Sequence, residues 1–193
     1  MSEDVCTLDS AIDQIIVLTE RIQRFWTEES VGWAPKDATE LLENSRMDRL
    51  VSLSHALRHS MMPHSNQDEE GRLILAWANL GILVEGMLTW FLCVWEHVYS
   101  ATPIKKHGIS ATPNDARFVE LCRFFDQYVW VDWEKKIWTP WLNLIRERRN
   151  AVHAFNHRDI GTWKEWQDAV IRYLELITAL DGRVPYPDMS NAW

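Results

Sequence analysis

Apolar positions recur at helical intervals almost from end to end of this chain. From about Asp9 to Trp26, the residues Ile12, Ile15, Ile16, Leu18, Ile22 and Phe25 are set among charges, which predicts an amphipathic helix. Gly32 and Pro35 break it. A second helical region carries Leu41, Leu42, Leu50, Leu53 and Leu57, and fades at Met61, Met62 and Pro63. Ser65 and Asn66, followed by Asp68, Glu69 and Glu70, are a helix start: small polar caps for unpaired N–H groups, then acids for the dipole. The helix they open is expected to reach about Tyr99, a rod of roughly 45–50 Å.

Residues 100–113, with Pro103, Gly108 and Pro113, read as the longest loop, and a helix from about Asn114 to Tyr128 follows. The run VWVDWEKKIW fits either a short strand or a bend. Thr139 and Pro140 read as an N-cap with proline at the first helical position, opening a helix through WLNLIRERRNAVHAF. Asp159 to Gly161 form a turn, Thr162 and Glu165 a capping box, and Gly182 the end of the last helix. The tail RVPYPDMSNAW is expected along the surface. The fold class is therefore all-α, a single helical domain over 1–193. N-terminal helices occupy about 1–64, the bundle core about 65–182 and the tail 183–193.

Residues 73–95 are long and apolar enough to span a bilayer. Glu85 near the middle would cost about 2.5–3.5 kcal/mol there, and no Lys/Arg cluster orients the segment. It reads as the central helix of a bundle, with no membrane partner. The N-terminus MSEDVCTLDS is acidic, unlike a signal peptide. Cys6, Cys93 and Cys122 are odd in number and widely spaced, which fits a reducing cytoplasm.

Composition changes the picture at two points. The 193 residues include 12 Trp and carry a net charge of −8, which on its face argues against nucleic acid. Residues 134–158, however, hold Lys135, Lys136, Arg146, Arg148, Arg149 and Arg158 against Glu134 and Glu147, a local balance of +4 that leaves −12 for the rest. Charge alone favours a solvated helix face, with cations near its C-terminus, over a phosphate-contacting surface. Trp130, Trp133, Trp138 and Trp141 cluster just upstream. They read as core and interface anchors ahead of base-stacking platforms.

The chemistry concentrates in Arg146-Glu147-Arg148-Arg149-Asn150-Ala151-Val152-His153, where Arg148 and His153 have four residues between them. With RRNAVHAF, the turn HRDIGT, an amphipathic helix, RVPYPD, and the long helix LAWANLGILVEGMLTWFL, this resembles the HEPN superfamily over roughly residues 70–188. The group within it is bacterial and uncharacterised. The resemblance implies a HEPN-like antiparallel helical bundle with a long central helix. It implies a metal-independent endoribonuclease of toxin or anti-phage type, homodimeric through the motif helix, with RNA as substrate and an antitoxin or defence protein as partner. Arg148 would hold phosphate and His153 would move the 2′-hydroxyl or leaving-group proton, giving a 2′,3′-cyclic phosphate. No cofactor or metal is called for.

Helix geometry leaves the arginine open. Arg148 matches the family spacing, whereas Arg149 shares the face of His153, because four residues rotate about 40° and five about 140°. Arg146 fits a looser spacing, and Arg149, Asn150 and Arg146 are supporting phosphate-binding candidates. Glu85 is a candidate to orient a motif arginine from behind. The pairs His55/His59 and His153/His157 have metal-ligand spacing, but nothing completes either set. The alternative function is a non-catalytic helical module that binds a partner protein or RNA.

Overall fold

The computed structural model describes residues 7–30, 33–61, 67–153, 155 and 157–187. Gly32, Met62, Pro63, His64, the Ser65–Asn66 cap and Cys6 lie outside them. The chain folds as an all-α structure with one short hairpin. Helix α1 (Leu8–Arg24) starts where the Thr7 hydroxyl accepts the Ser10 N–H at 3.3 Å. It closes in a wide turn in which the Ser30 N–H reaches the Phe25 carbonyl.

The second helical region divides into α2 (Lys36–Glu43) and α3 (Met47–Ala56). Two side chains at the break compete with the backbone: the Asn44 amide donates to the Glu40 carbonyl at 2.7 Å and the Ser45 hydroxyl to the Leu42 carbonyl at 2.6 Å. Helix α4 (Glu69–Val94) stops short of the expected Tyr99. Trp95 leaves helical geometry at ψ 32°, and a separate turn, α5 (Glu96–Tyr99), follows. Just over half of the most apolar stretch of α4 is buried among the other helices.

The expected loop contains a hairpin, β1 (Lys105–Lys106) against β2 (Ile109–Ser110), antiparallel with Lys105 opposite Ser110. His107 and Gly108 both turn at positive φ, as a two-residue hairpin requires. Helix α6 (Phe118–Phe124) begins later than Asn114. Its start is fixed by the Glu120 carboxylate, which accepts the Arg117 N–H at 2.8 Å. A wide turn through Val129 ends it, the Trp130 N–H bonding to the Phe125 carbonyl.

Helix α7 (Asp132–Arg149) corrects the reading of Thr139 and Pro140 as a start. The helix opens eight residues earlier, where the Glu134 carboxylate accepts the Val131 N–H at 3.1 Å. The Thr139 hydroxyl donates to Asp126 at 2.6 Å instead of capping, and Pro140 sits in mid-helix without an N–H for the fourth residue before it. The run left open as strand or bend is mostly the first turns of this helix. The far end is also earlier than Phe155: after Arg149 the backbone tightens through Asn150–Val152.

Helix α8 (Trp163–Asp181) has its capping box: Thr162 Oγ1 accepts the Glu165 N–H at 3.2 Å, and Glu165 accepts the Thr162 N–H at 2.7 Å. Gly182 follows in right-handed geometry, φ −63°. The start of the tail packs rather than trailing along the surface. Val184 is buried, and Tyr186 meets Phe25 and Trp33 while its hydroxyl donates to Asp181 at 2.7 Å. Arg21 also pairs with Asp181, so α1, α8 and the tail are joined at one point.

One apolar core runs through all these helices. A row of rings, Phe91, Phe125, Trp130, Trp138 and Trp141, with neighbouring centroids 5.1–6.1 Å apart, ties α4 and the α6 turn to α7. Beside it the buried Glu134 carboxylate pairs with Arg183, whose guanidinium lies 5.2 Å above Trp130. Trp133 is exposed. The row fixes the direction of α7: it starts beside the C-terminal part of α4 and returns antiparallel, delivering Arg149 to Gly81.

Candidate functional site

The last two turns of α7 face two ways. Trp138, Trp141, Ile145 and Arg148, spaced three, four and three apart, are all buried. Arg148 thus continues a core stripe, and its side chain is only 7% exposed. Its Nη1 meets Asp159 Oδ1 at 2.6 Å and its Nη2 meets Glu165 Oε1 at 3.4 Å; its Nε is buried without an acceptor among the described residues. The guanidinium therefore staples the end of α7 to the turn before α8. Gly161 makes that turn possible. Its φ is +64°, and a Cβ there would stand 2.9 Å from Arg148 Nη2. The Gly161 N–H donates to Asp159 Oδ1 at 2.9 Å, and the Arg148 hydrogen bond holds the Asp159 carboxyl below its ordinary range.

Arg146 and Arg149, three apart, occupy the other side of α7, and Asn150 and His153 follow in the tightened turn and just beyond it. Arg149 Nη2 meets Glu85 Oε2 at 2.8 Å across α4, and its guanidinium carbon lies 5.7 Å from the centre of the Phe118 ring. A Cβ on Gly81 would come within 2.7 Å of Arg149 Cβ, so glycine is what lets the two helices close here. Burial raises the Glu85 carboxyl, opposed by Arg149 and by the Phe118 amide at the start of α6.

Arg146 is half-buried and has no carboxylate partner among the described residues; its Nε lacks an acceptor. It lies near Cys122, whose thiol burial pushes up to about 12 while Arg146 pulls against the rise. His153 is exposed at φ −80° and ψ 82°, just beyond the tightened turn, and its imidazole makes no hydrogen bond among the described residues. His157 is exposed too, and the His55 imidazole meets Glu20 at 2.9 Å.

The chain thus brings Arg146, Arg149 and Glu85 to one junction of α4, α6 and α7, with Asn150 and exposed His153 in the backbone that follows. Arg148 points away from that junction. The sequence carried a signal for this division, the Trp138–Trp141–Ile145 spacing, which assigns position 148 to the core. The pairing of Arg148 with Asp159 had no such signal, because it depends on the path of the turn.

One feature beside the junction was not singled out from the sequence. Along α4, Leu75, Ala78 and Ile82 are spaced three and four apart; Leu75 is 64% and Ile82 39% exposed, with Ala78 half-buried between them. Val152, directly after α7, is about half exposed, and Phe155 is fully exposed. Comparison of the chain with protein-family models, with curated proteins and with solved structures finds no match.

Proposed function

We propose that the chain is a HEPN-like helical interaction module that pairs with a second copy of itself through the outer face of α4 and the end of α7. The observation that carries this reading is the exposed pair Leu75 and Ile82, with half-buried Ala78 between them, on a helix otherwise largely enclosed. Exposed leucine and isoleucine at heptad spacing are what a helix offers to a partner helix. A two-fold pairing would bring the same row from each copy together. The internal neutralisation of Arg148 by Asp159 and Glu165 supports binding over catalysis by the Arg148/His153 pair.

Cysteine cross-linking tests the face. Cysteine placed singly at Leu75, Ala78 and Ile82 should give a covalent dimer on mild oxidation for at least one position. Val17→Cys, exposed on α1, should not. Equal cross-linking at Val17, or none on α4, removes the reading.

A second reading has its own observation. Arg146 near the end of α7 has no carboxylate partner, and the exposed His153 imidazole just beyond it no hydrogen bond, among the described residues; a cation for phosphate and a proton-transfer group are what RNA cleavage needs. Cleavage of single-stranded RNA by the wild type, abolished in His153→Ala and retained in Arg148→Met, would favour this enzyme. Intact RNA with both would leave the binding module.

A further inference from the structure

We propose a second ligand site, for a nucleotide unit (a base with its phosphate), in the groove between residues 101–105 and α6. Thr102, Lys105, Arg123, Gln127 and Tyr128 line this cavity of about 490 Å³ over a floor that includes Phe124, within the size range of small-ligand pockets. None of the motif-helix residues contributes to it.

Three observations point to this chemistry. The first is charge. Lys105 and Arg123 have no carboxylate partner among the described residues. The one carboxylate of the groove, Glu120, is already held by Arg117 at 2.6 Å and by Lys106 at 3.8 Å. In a chain of net charge −8, most cations are spent on internal carboxylates. Two uncommitted cations on one concave surface call for an anion from outside.

The second is the ring. Tyr128 is 53% exposed, and its inner side is supported by Phe124 at 4.9 Å between centroids. A braced aromatic ring with an open face is a stacking surface for a flat base. An acidic peptide would use the cations but has no use for the ring. The third is hydrogen-bonding capacity. The Thr102 hydroxyl, the Gln127 amide and the Tyr128 hydroxyl make no hydrogen bond among the described residues. They can read the edge of a base or a ribose hydroxyl. The phosphate is assigned to Lys105 and Arg123, and the base to Tyr128.

The groove is tested by titrating the full chain with AMP, with ribose 5-phosphate, and with a fluorescein-labelled oligoadenylate at low ionic strength. AMP should bind saturably and about tenfold tighter than ribose 5-phosphate, since one stacked base is worth roughly that factor or more. The better of AMP and the oligonucleotide identifies the source, free nucleotide or single strand. Arg123→Glu should weaken either by at least about tenfold. Tyr128→Ala should erase the preference over ribose 5-phosphate, and Tyr128→Phe should restore it; unchanged circular dichroism in each variant keeps the comparison clean. No saturable binding overturns the proposal, as does equal binding of AMP and ribose 5-phosphate, or competition by polyglutamate as effective as by AMP. Loss in Arg146→Glu with none in Arg123→Glu would move the anion to α7 and overturn the groove, leaving the α4 pairing face unaffected.

Discussion

Replacing Arg148 separates the two jobs an arginine can do at this position. In Arg148→Ala the chain loses two buried methylenes of the stem, Cγ and Cδ, worth about 0.8 kcal/mol each, at the end of the Trp138–Trp141–Ile145 stripe. The ion pair with Asp159 adds little, because that carboxylate is 81% exposed and screened by water. The 3.4 Å contact to half-exposed Glu165 adds less. Desolvation of the guanidinium, whose Nε finds no acceptor, offsets part of this. The expected net loss is about 1–2 kcal/mol, or roughly 2–8 °C in Tm for a domain of this size. Arg148→Met keeps the stem volume and discards the charge, so it should cost no more than about 1 kcal/mol. Urea unfolding followed by tryptophan fluorescence and far-ultraviolet circular dichroism measures both. Met as damaging as Ala would show that the charge and not the packed stem matters, and an Ala cost under about 0.5 kcal/mol would show that neither does.

Asp159 gives a pH signature. Its folded carboxyl is held low by Arg148, so its contribution is complete above the unfolded value near about 4 and disappears as pH falls through the lowered folded value. The stability difference between wild type and Asp159→Asn should therefore shrink on acidification below about pH 4; a constant difference counts against the pair. Gly81→Ala should cost about 1–3 kcal/mol, since its Cβ must push Arg149 and α7 away from α4. A neutral Gly81→Ala in thermal melts would show that the helices approach less closely. Cys93 and Cys122, each with its thiol pushed up to about 12 by burial, should react with a thiol reagent at pH 8 only after unfolding. Rapid labelling of Cys122 in the native chain would contradict its burial.

Helices marked by apolar spacing or a local cap were legible in the sequence: α1 by its isoleucine spacing, and α8 by the Thr162–Glu165 capping box, which acts within a single turn. Boundaries decided by distant or competing partners were not. Thr139 has the composition of an N-cap, yet its hydroxyl is taken by Asp126, thirteen residues away in sequence, and α7 runs through Pro140. Asn44 and Ser45 divide a region whose leucines alone suggest one helix. At the site, an acid within an apolar helix calls for a cation, and Arg149 stands opposite Glu85. Family spacing and helical rotation gave different arginines at the motif. The rotation describes which side chains share a side of α7, and the burial of Arg148 follows from its register with Trp141 and Ile145.

The pairing of two copies through α4 is the claim on which the proposed function rests, and the molar mass of the full chain in solution tests it most directly. Sedimentation equilibrium over a range of micromolar concentrations should give twice the 22.7 kDa of one chain, falling to a single chain when Leu75 and Ile82 are both replaced by Glu. A wild-type mass of one chain at every concentration, or a double variant that still sediments as a pair, would contradict it.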